Sequence, residues 1–159
     1  MATPQELAAL AAAVPAAQAC QQQYKIPSSV TLAQWTFESS WGTSQLALKA
    51  NNYFGIKAEH LADPSTYMEF PTAEYIAGVR TMIEADFERY PNAAASFADH
   101  GRLLATAPRY APAMAVANDP VKFAAALQKC GYSTNPNYAT ELCLQMAVHK
   151  LTQYDKEKT

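Results

Sequence analysis

Little in this chain is charged. Twelve basic residues against 14 acidic ones leave a formal net charge of −2, and the Lys and Arg residues are scattered. Without a basic field there is no electrostatic footprint for nucleic acid, so that partner is excluded and an uncharged or mixed-charge polymer fits better. No apolar run is long enough to span a bilayer, because the Ala-rich start is broken by Pro15 and by Gln18, Gln21, Gln22 and Gln23. The same start lacks a basic n-region and does not read as a signal peptide, so action outside the cytoplasm calls for another export route or an excised domain. Cysteines number three, Cys20, Cys130 and Cys143, all in helical patterns. That favours reduced structural thiols over a disulfide framework, with a Cys130–Cys143 bridge left open. The three histidines are isolated and the five glycines far apart. No metal site, phosphate-cradling loop or cofactor is therefore expected, and a monomer is.

What is present is a 159-residue chain, half of it hydrophobic, enough for one well-buried core and rather short for two. A single domain over 1–159 follows. Its organising stretch is Leu32-Ala33-Gln34-Trp35-Thr36-Phe37-Glu38-Ser39-Ser40-Trp41-Gly42. Val30, Ala33, Phe37 and Trp41 recur at helical spacing, and Leu32 with Trp35 widens the stripe, so this helix should be buried on most sides. Ser28 or Ser29 suits the cap and Gly42 the left-handed exit, which puts Glu38 in the last turn. There the negative end of the helix dipole and partial burial disfavour the ionised carboxylate, as a general acid requires. By position alone, Glu38 reads as a helix-end charge reaching water or an arginine.

Upstream, Pro4 to Gln23 reads as a helix with Leu7, Leu10 and Val14 on one face and a break or kink at Pro15. Downstream, Thr43 or Ser44 caps a short helix over 45–50, and Asn51-Asn52 turns into Tyr53-Phe54-Gly55-Ile56-Lys57. Those aromatics pack against the acid's helix or form a sugar-facing rim, composition favouring packing. The pattern then changes. Tyr67–Phe70 and Ala73–Ile76 are short strands, Ala77-Gly78 reverses the chain, and from Val79 to Glu88 apolar residues alternate with polar ones. A small antiparallel lobe over about 58–89 thus interrupts a mainly α (α+β) protein, and Glu74 on its first arm reads as a solvated edge-strand charge. Helices resume with Asn92 as a cap, and His100 reads as a packed, hydrogen-bonded histidine. Arg109-Tyr110-Ala111-Pro112 reads as a loop whose aromatic stacks on a ligand or plugs the core. Asp119-Pro120 starts a helix that stops near Gly131, and a final helix carries Tyr138, Leu142, Met146 and Leu151 into a frayed, charged tail.

Five motifs together carry a resemblance: Leu32-Ala33-Gln34, Glu38-Ser39-Ser40-Trp41-Gly42, Asn51 to Lys57, Thr72-Ala73-Glu74-Tyr75 and Pro108-Arg109-Tyr110-Ala111. In this order, with Gly131 to Ala139 as a closing segment, the chain resembles glycoside hydrolase family 73, peptidoglycan-cleaving N-acetylglucosaminidases that include flagellar-rod hydrolases, autolysins and phage endolysins. The resemblance implies a lysozyme-like helical fold with a β-hairpin lobe. It also implies cleavage of the β-1,4 bond from N-acetylglucosamine to N-acetylmuramic acid in peptidoglycan glycan strands. Carried over, Glu38 is the general acid, Glu74 the second catalytic residue and Tyr110 a tyrosine near the cleaved sugar. Trp41, Asn52, Phe54 and Tyr75 are expected at the groove or its wall. Glu74 would activate a water, with inversion, or stabilise an intermediate formed by the substrate's acetamido group, with retention. The expected place of action is the bacterial cell wall, periplasmic or extracellular. No wall-binding module is read, which fits a holin-released phage endolysin or an excised catalytic domain. A muramidase, a lytic transglycosylase or a non-catalytic wall-binding module is the alternative.

Overall fold

Thr3 launches the first helix of the computed structural model, which describes residues 2–156. Its hydroxyl accepts from the Glu6 N–H while the Glu6 carboxylate accepts from the Thr3 N–H and hydroxyl, a reciprocal cap for α1, Pro4–Tyr24. Of the break or kink expected at Pro15, the break does not occur; α1 runs through it. Proline costs a helix interior about 3 kcal/mol, and the offset comes from a buried stripe of Leu10, Ala13, Ala17 and Cys20. These pack α1 against α2, Ser28–Ser39, and α4, Ala93–Thr106. Leu7 falls off the stripe at 53 % exposure, whereas Cys20 lies on it, its thiol donating to the Phe97 carbonyl at 3.0 Å. Cys20, Cys130 and Cys143 are all free thiols.

α2 is the central helix, with every residue from Ser28 to Thr36 buried. Phe37 departs from the expected stripe and turns toward solvent. Neither Ser28 nor Ser29 caps the helix; both lie inside its first turn. The Ser28 hydroxyl donates to Gln21 Oε1 (2.7 Å), and Asp155 supplies the cap, its carboxylate accepting from the Ser29 N–H and hydroxyl, each at 2.7 Å. The expected fraying of the tail therefore fails at Asp155 and Lys156, whose backbone also pairs with the Gln21 amide; residues 157–159 lie outside the described ones. At the other end, left-handed backbone starts at Ser40 (φ 49°) and continues through Trp41 and Gly42.

Ser44 caps α3, Gln45–Ala50, by accepting from the Ala47 N–H. The two expected short strands are one, β1, Tyr67–Ile76, paired antiparallel along its whole length with β2, Val79–Glu88. Pro71 is accommodated because each strand of a two-stranded sheet has a free edge. Ala77 (φ 50°) and Gly78 (φ 78°) form the two-residue turn, whose positive angles at both centres match the twist of the arms. The base of this lobe is pinned by buried Asn52. Its Nδ2 donates to the carbonyls of Ile56 (2.8 Å) and Glu88 (2.9 Å), and its Oδ1 accepts from the Ile56 N–H.

Asn92 caps α4. The expected loop at 109–112 is helical, a 3-10 turn over Pro108–Tyr110 leading into α5, Ala111–Met114. Asp119 accepts from the Val121 and Lys122 N–H groups and starts α6, Pro120–Lys129. α7, Tyr138–Val148, stops short of Leu151, which opens a second 3-10 turn, Leu151–Tyr154, and packs in the core. The result is a lysozyme-like helical body with one β-hairpin lobe. No helix among the described residues is long and apolar enough to cross a membrane.

Candidate active site

Gln34 and Glu38 lie four residues apart on α2, so their side chains point the same way, one turn above the other. Tyr138, the first residue of α7, reaches both. Its hydroxyl donates to Glu38 Oε1 and accepts from Gln34 Nε2 at 2.9 Å. Behind it Tyr132 stacks on the Tyr138 ring, centroids 5.4 Å apart, and its hydroxyl donates to the Phe54 carbonyl at 3.5 Å. The other carboxylate oxygen, Oε2, faces Gly55, where an added Cβ would stand 3.9 Å away. The left-handed φ of 63° there, with the backbone so close to the acid, suits glycine.

Burial pushes the Glu38 carboxyl up to about 8, against a smaller downward pull from the Tyr138 and Tyr132 hydroxyls. Desolvation is thus the leading cause. The residue as a whole keeps partial exposure, and its carboxyl holds a proton at neutral pH. Burial, reinforced by the Glu38 charge, also holds both tyrosines well above the ordinary phenol range, which keeps their hydroxyls protonated as donors.

Glu74 is not a free edge charge. Oε1 accepts from Lys57 Nζ at 2.6 Å and Oε2 from the Thr134 hydroxyl at 2.7 Å, while Thr134 Oγ1 accepts from the Tyr75 N–H at 3.1 Å. Partial burial pulls its carboxyl upward, but the Lys57 and Thr134 hydrogen bonds and the Lys57 charge outweigh this and leave it below the ordinary range. Lys57 follows Gly55 by two residues and Thr134 follows Tyr132 by two. Glu74 therefore ties the hairpin to both segments that flank Glu38, though no hydrogen bond joins the two glutamates among the described residues.

The remaining expected site residues divide. Tyr75 is partly exposed on β1, open to a ligand. Tyr110, Phe54 and Asn52 do not reach one here: each is at most 2 % exposed. Tyr110 packs its ring 5.9 Å from that of Tyr132, and its hydroxyl accepts from the Arg109 guanidinium, making it the plug and not a stacking surface. Phe54 lies flat on His100 at 4.0 Å, behind Gly55. Trp41 meets Trp35 and His149 edge to face, at ring-centroid distances of 6.0 and 4.8 Å. His100 is packed but not hydrogen-bonded. Neither ring nitrogen has a partner, and burial drives its pKa down to about 3. Sequence reasoning gave no site role to Gln34, Lys57, Tyr132, Thr134 or Tyr138. For Gln34 a signal existed in its four-residue offset from Glu38; the others are brought in by tertiary folding.

Comparison with known proteins gives the same picture from outside. Residues 14–151 match the family model described as mannosyl-glycoprotein endo-beta-N-acetylglucosaminidase. The chain is 34 % identical over 145 residues to the exo-glucosaminidase LytG of Bacillus subtilis, covering 88 % of this chain and 50 % of that protein. It is 37 % identical over 131 residues to the peptidoglycan hydrolase FlgJ of Escherichia coli K12, covering 79 % of this chain and 41 % of that one. Among solved structures, a peptidoglycan hydrolase mutant from Sphingomonas sp. A1 superposes with a TM-score of 0.80 at 33 % identity, covering 92 % of this chain and 96 % of the other. The chain spans half or less of the length of these two curated relatives.

Proposed function

From the premise that the chain belongs to the glucosaminidase family, glycoside hydrolase family 73, we propose that it cleaves the β-1,4 bond between N-acetylglucosamine and N-acetylmuramic acid in peptidoglycan, with Glu38 as general acid. The observation that carries this reading is a carboxyl kept protonated at neutral pH by burial, hydrogen-bonded on one oxygen and facing a glycine with the other. Glu38 gives its proton to the glycosidic oxygen as the C1–O bond breaks, and the leaving sugar departs as a neutral alcohol. The positive charge that develops on the ring then needs a carboxylate, or a water activated by one. Glu74 is ionised and is bonded to Lys57 and Thr134, near neighbours in sequence of Gly55 and Tyr132, which suits it to either task. Tyr75, beside it, contacts the strand, and Tyr110, Phe54, Asn52 and Trp41 shape the wall.

On this reading residues 1–159 act as one catalytic domain, at the bacterial cell wall, on an uncharged glycan backbone that requires no basic groove. Digestion of purified wall followed by end-group analysis tests it. New reducing-end N-acetylglucosamine is the expected product. Reducing-end muramic acid would make the enzyme a muramidase, 1,6-anhydro ends a lytic transglycosylase, and binding without any release of fragments a non-catalytic wall module.

A further inference from the structure

Gln34 is fully buried, yet only half of its amide is used. Nε2 donates to the Tyr138 hydroxyl at 2.9 Å, and Oε1 has no hydrogen-bond partner among the described residues. An unpaired buried carbonyl is costly, and an apolar side chain of similar volume would serve the packing of α2 better. The amide therefore does something for Tyr138. A phenol has one hydrogen to donate, and which way it points depends on its neighbours. Because Gln34 offers Tyr138 an N–H, the phenol must accept on that side, and its own hydrogen is left to go to Glu38 Oε1. With Oε1 occupied as an acceptor, the carboxylic proton of Glu38 resides on Oε2, the oxygen that faces Gly55.

We propose that Gln34 is a positioning residue for the acid: acting through Tyr138, it selects the Glu38 oxygen that carries the transferable proton. The inference rests on Glu38 being the acid, and it adds a direction to that assignment. Were the Gln34 amide turned over, its oxygen would draw the phenolic hydrogen away, Tyr138 would become an acceptor toward Glu38, and the carboxylic proton would be held on Oε1, away from the glycine side. In the observed orientation the transfer is balanced. The Oε2–H bond breaks as the proton passes to the glycosidic oxygen, the electrons of the C1–O bond go to that oxygen, and the new negative charge on Glu38 is met by a Tyr138 O–H already aimed at Oε1.

The test is a cycle of Gln34→Leu, Tyr138→Phe and the double variant, with Gln34→Met in place of Leu if that variant folds poorly. Two readouts are taken: the titration of the Glu38 carboxyl by carbon NMR, and the pH dependence of kcat on purified peptidoglycan. Losing a hydrogen bond to the charged form should raise the Glu38 titration by about one unit in Tyr138→Phe. Gln34→Leu is expected to raise it by less, with kcat about tenfold lower, unchanged KM and a melting temperature equal to or above wild type. In the Tyr138→Phe background, Gln34→Leu should add nothing to either readout. Equal effects of Gln34→Leu in both backgrounds, or an unmoved Glu38 titration in a folded Gln34→Leu protein, would overturn the proposal. The NMR arm needs no turnover, so a protein that titrates as described but leaves the wall intact refutes the glycosidase reading and not this one.

Discussion

Glu38 and Glu74 are both held by hydroxyl groups, but the two regions that carry them impose opposite protonation states. Glu38 sits on a helix packed on nearly every side, with two tyrosine hydroxyls and no ion pair among the described residues, so burial prevails and the carboxyl stays neutral. Glu74 sits on a two-stranded lobe, partly exposed, with a lysine 2.6 Å away, so the cation prevails and the carboxyl stays charged. One residue type is thus held neutral in one region and charged in the other, the difference lying in enclosure and in one ammonium group. The body fixes its glutamate by packing. The lobe fixes its own by bonds to Lys57 and Thr134.

The contrast can be broken most severely at Glu38. Glu38→Gln should lower turnover by about 10²–10⁴-fold, read as fragments released from purified wall. It should also stabilise the fold. Glu38 titrates at about 8 when folded against an ordinary 4.5, so between those values the native state binds more protons than the unfolded one, and wild-type stability falls as pH rises through that window. The melting temperature of Glu38→Gln should accordingly exceed wild type by a margin that grows from pH 5 to pH 8. Glu74→Gln should have a smaller effect on turnover, on the order of 10–100-fold, with little change in melting temperature because an exposed ion pair contributes about 0–1 kcal/mol. Wild-type activity in that variant would remove Glu74 from the mechanism. Lys57→Met sharpens the comparison further. With the ammonium gone, the Glu74 carboxyl should rise, moving the acidic limb of the pH–rate profile to higher pH while the basic limb, set by Glu38, stays in place. The smallest effect is expected at His100. Its folded pKa is depressed to about 3 from 6.5, so the stability tied to its neutral form is lost as pH falls from 6.5 toward 3. His100→Phe should raise the melting temperature at pH 5 more than at pH 8.

Features encoded by near neighbours could be read from the chain directly. Ser44, Asn92 and Asp119 cap helices by bonding N–H groups two or three residues away, and the alternation after Val79 marks a strand whatever surrounds it. Glu38 was legible as an acid on an apolar helix for the same reason. Pro15 misled because its local cost is outweighed by a stripe packed against two distant helices. Phe37 misled because a helical stripe wide enough to include it also fits a helix that leaves one position to solvent. Tyr110 and Phe54 carry ligand-like side chains, and only the packed structure assigns them to the core. Tyr138 is 100 residues from Glu38, and Thr134 is 60 from Glu74; no local pattern announces such pairs.

The carboxylate that caps the acid's helix comes from Asp155, 126 residues after the serine it holds. Two donors at the buried start of α2 find their acceptor only when 126 further residues have followed. A loop of that length closes late. A clipped chain lacking Asp155 would hold the acid on an incompletely capped helix.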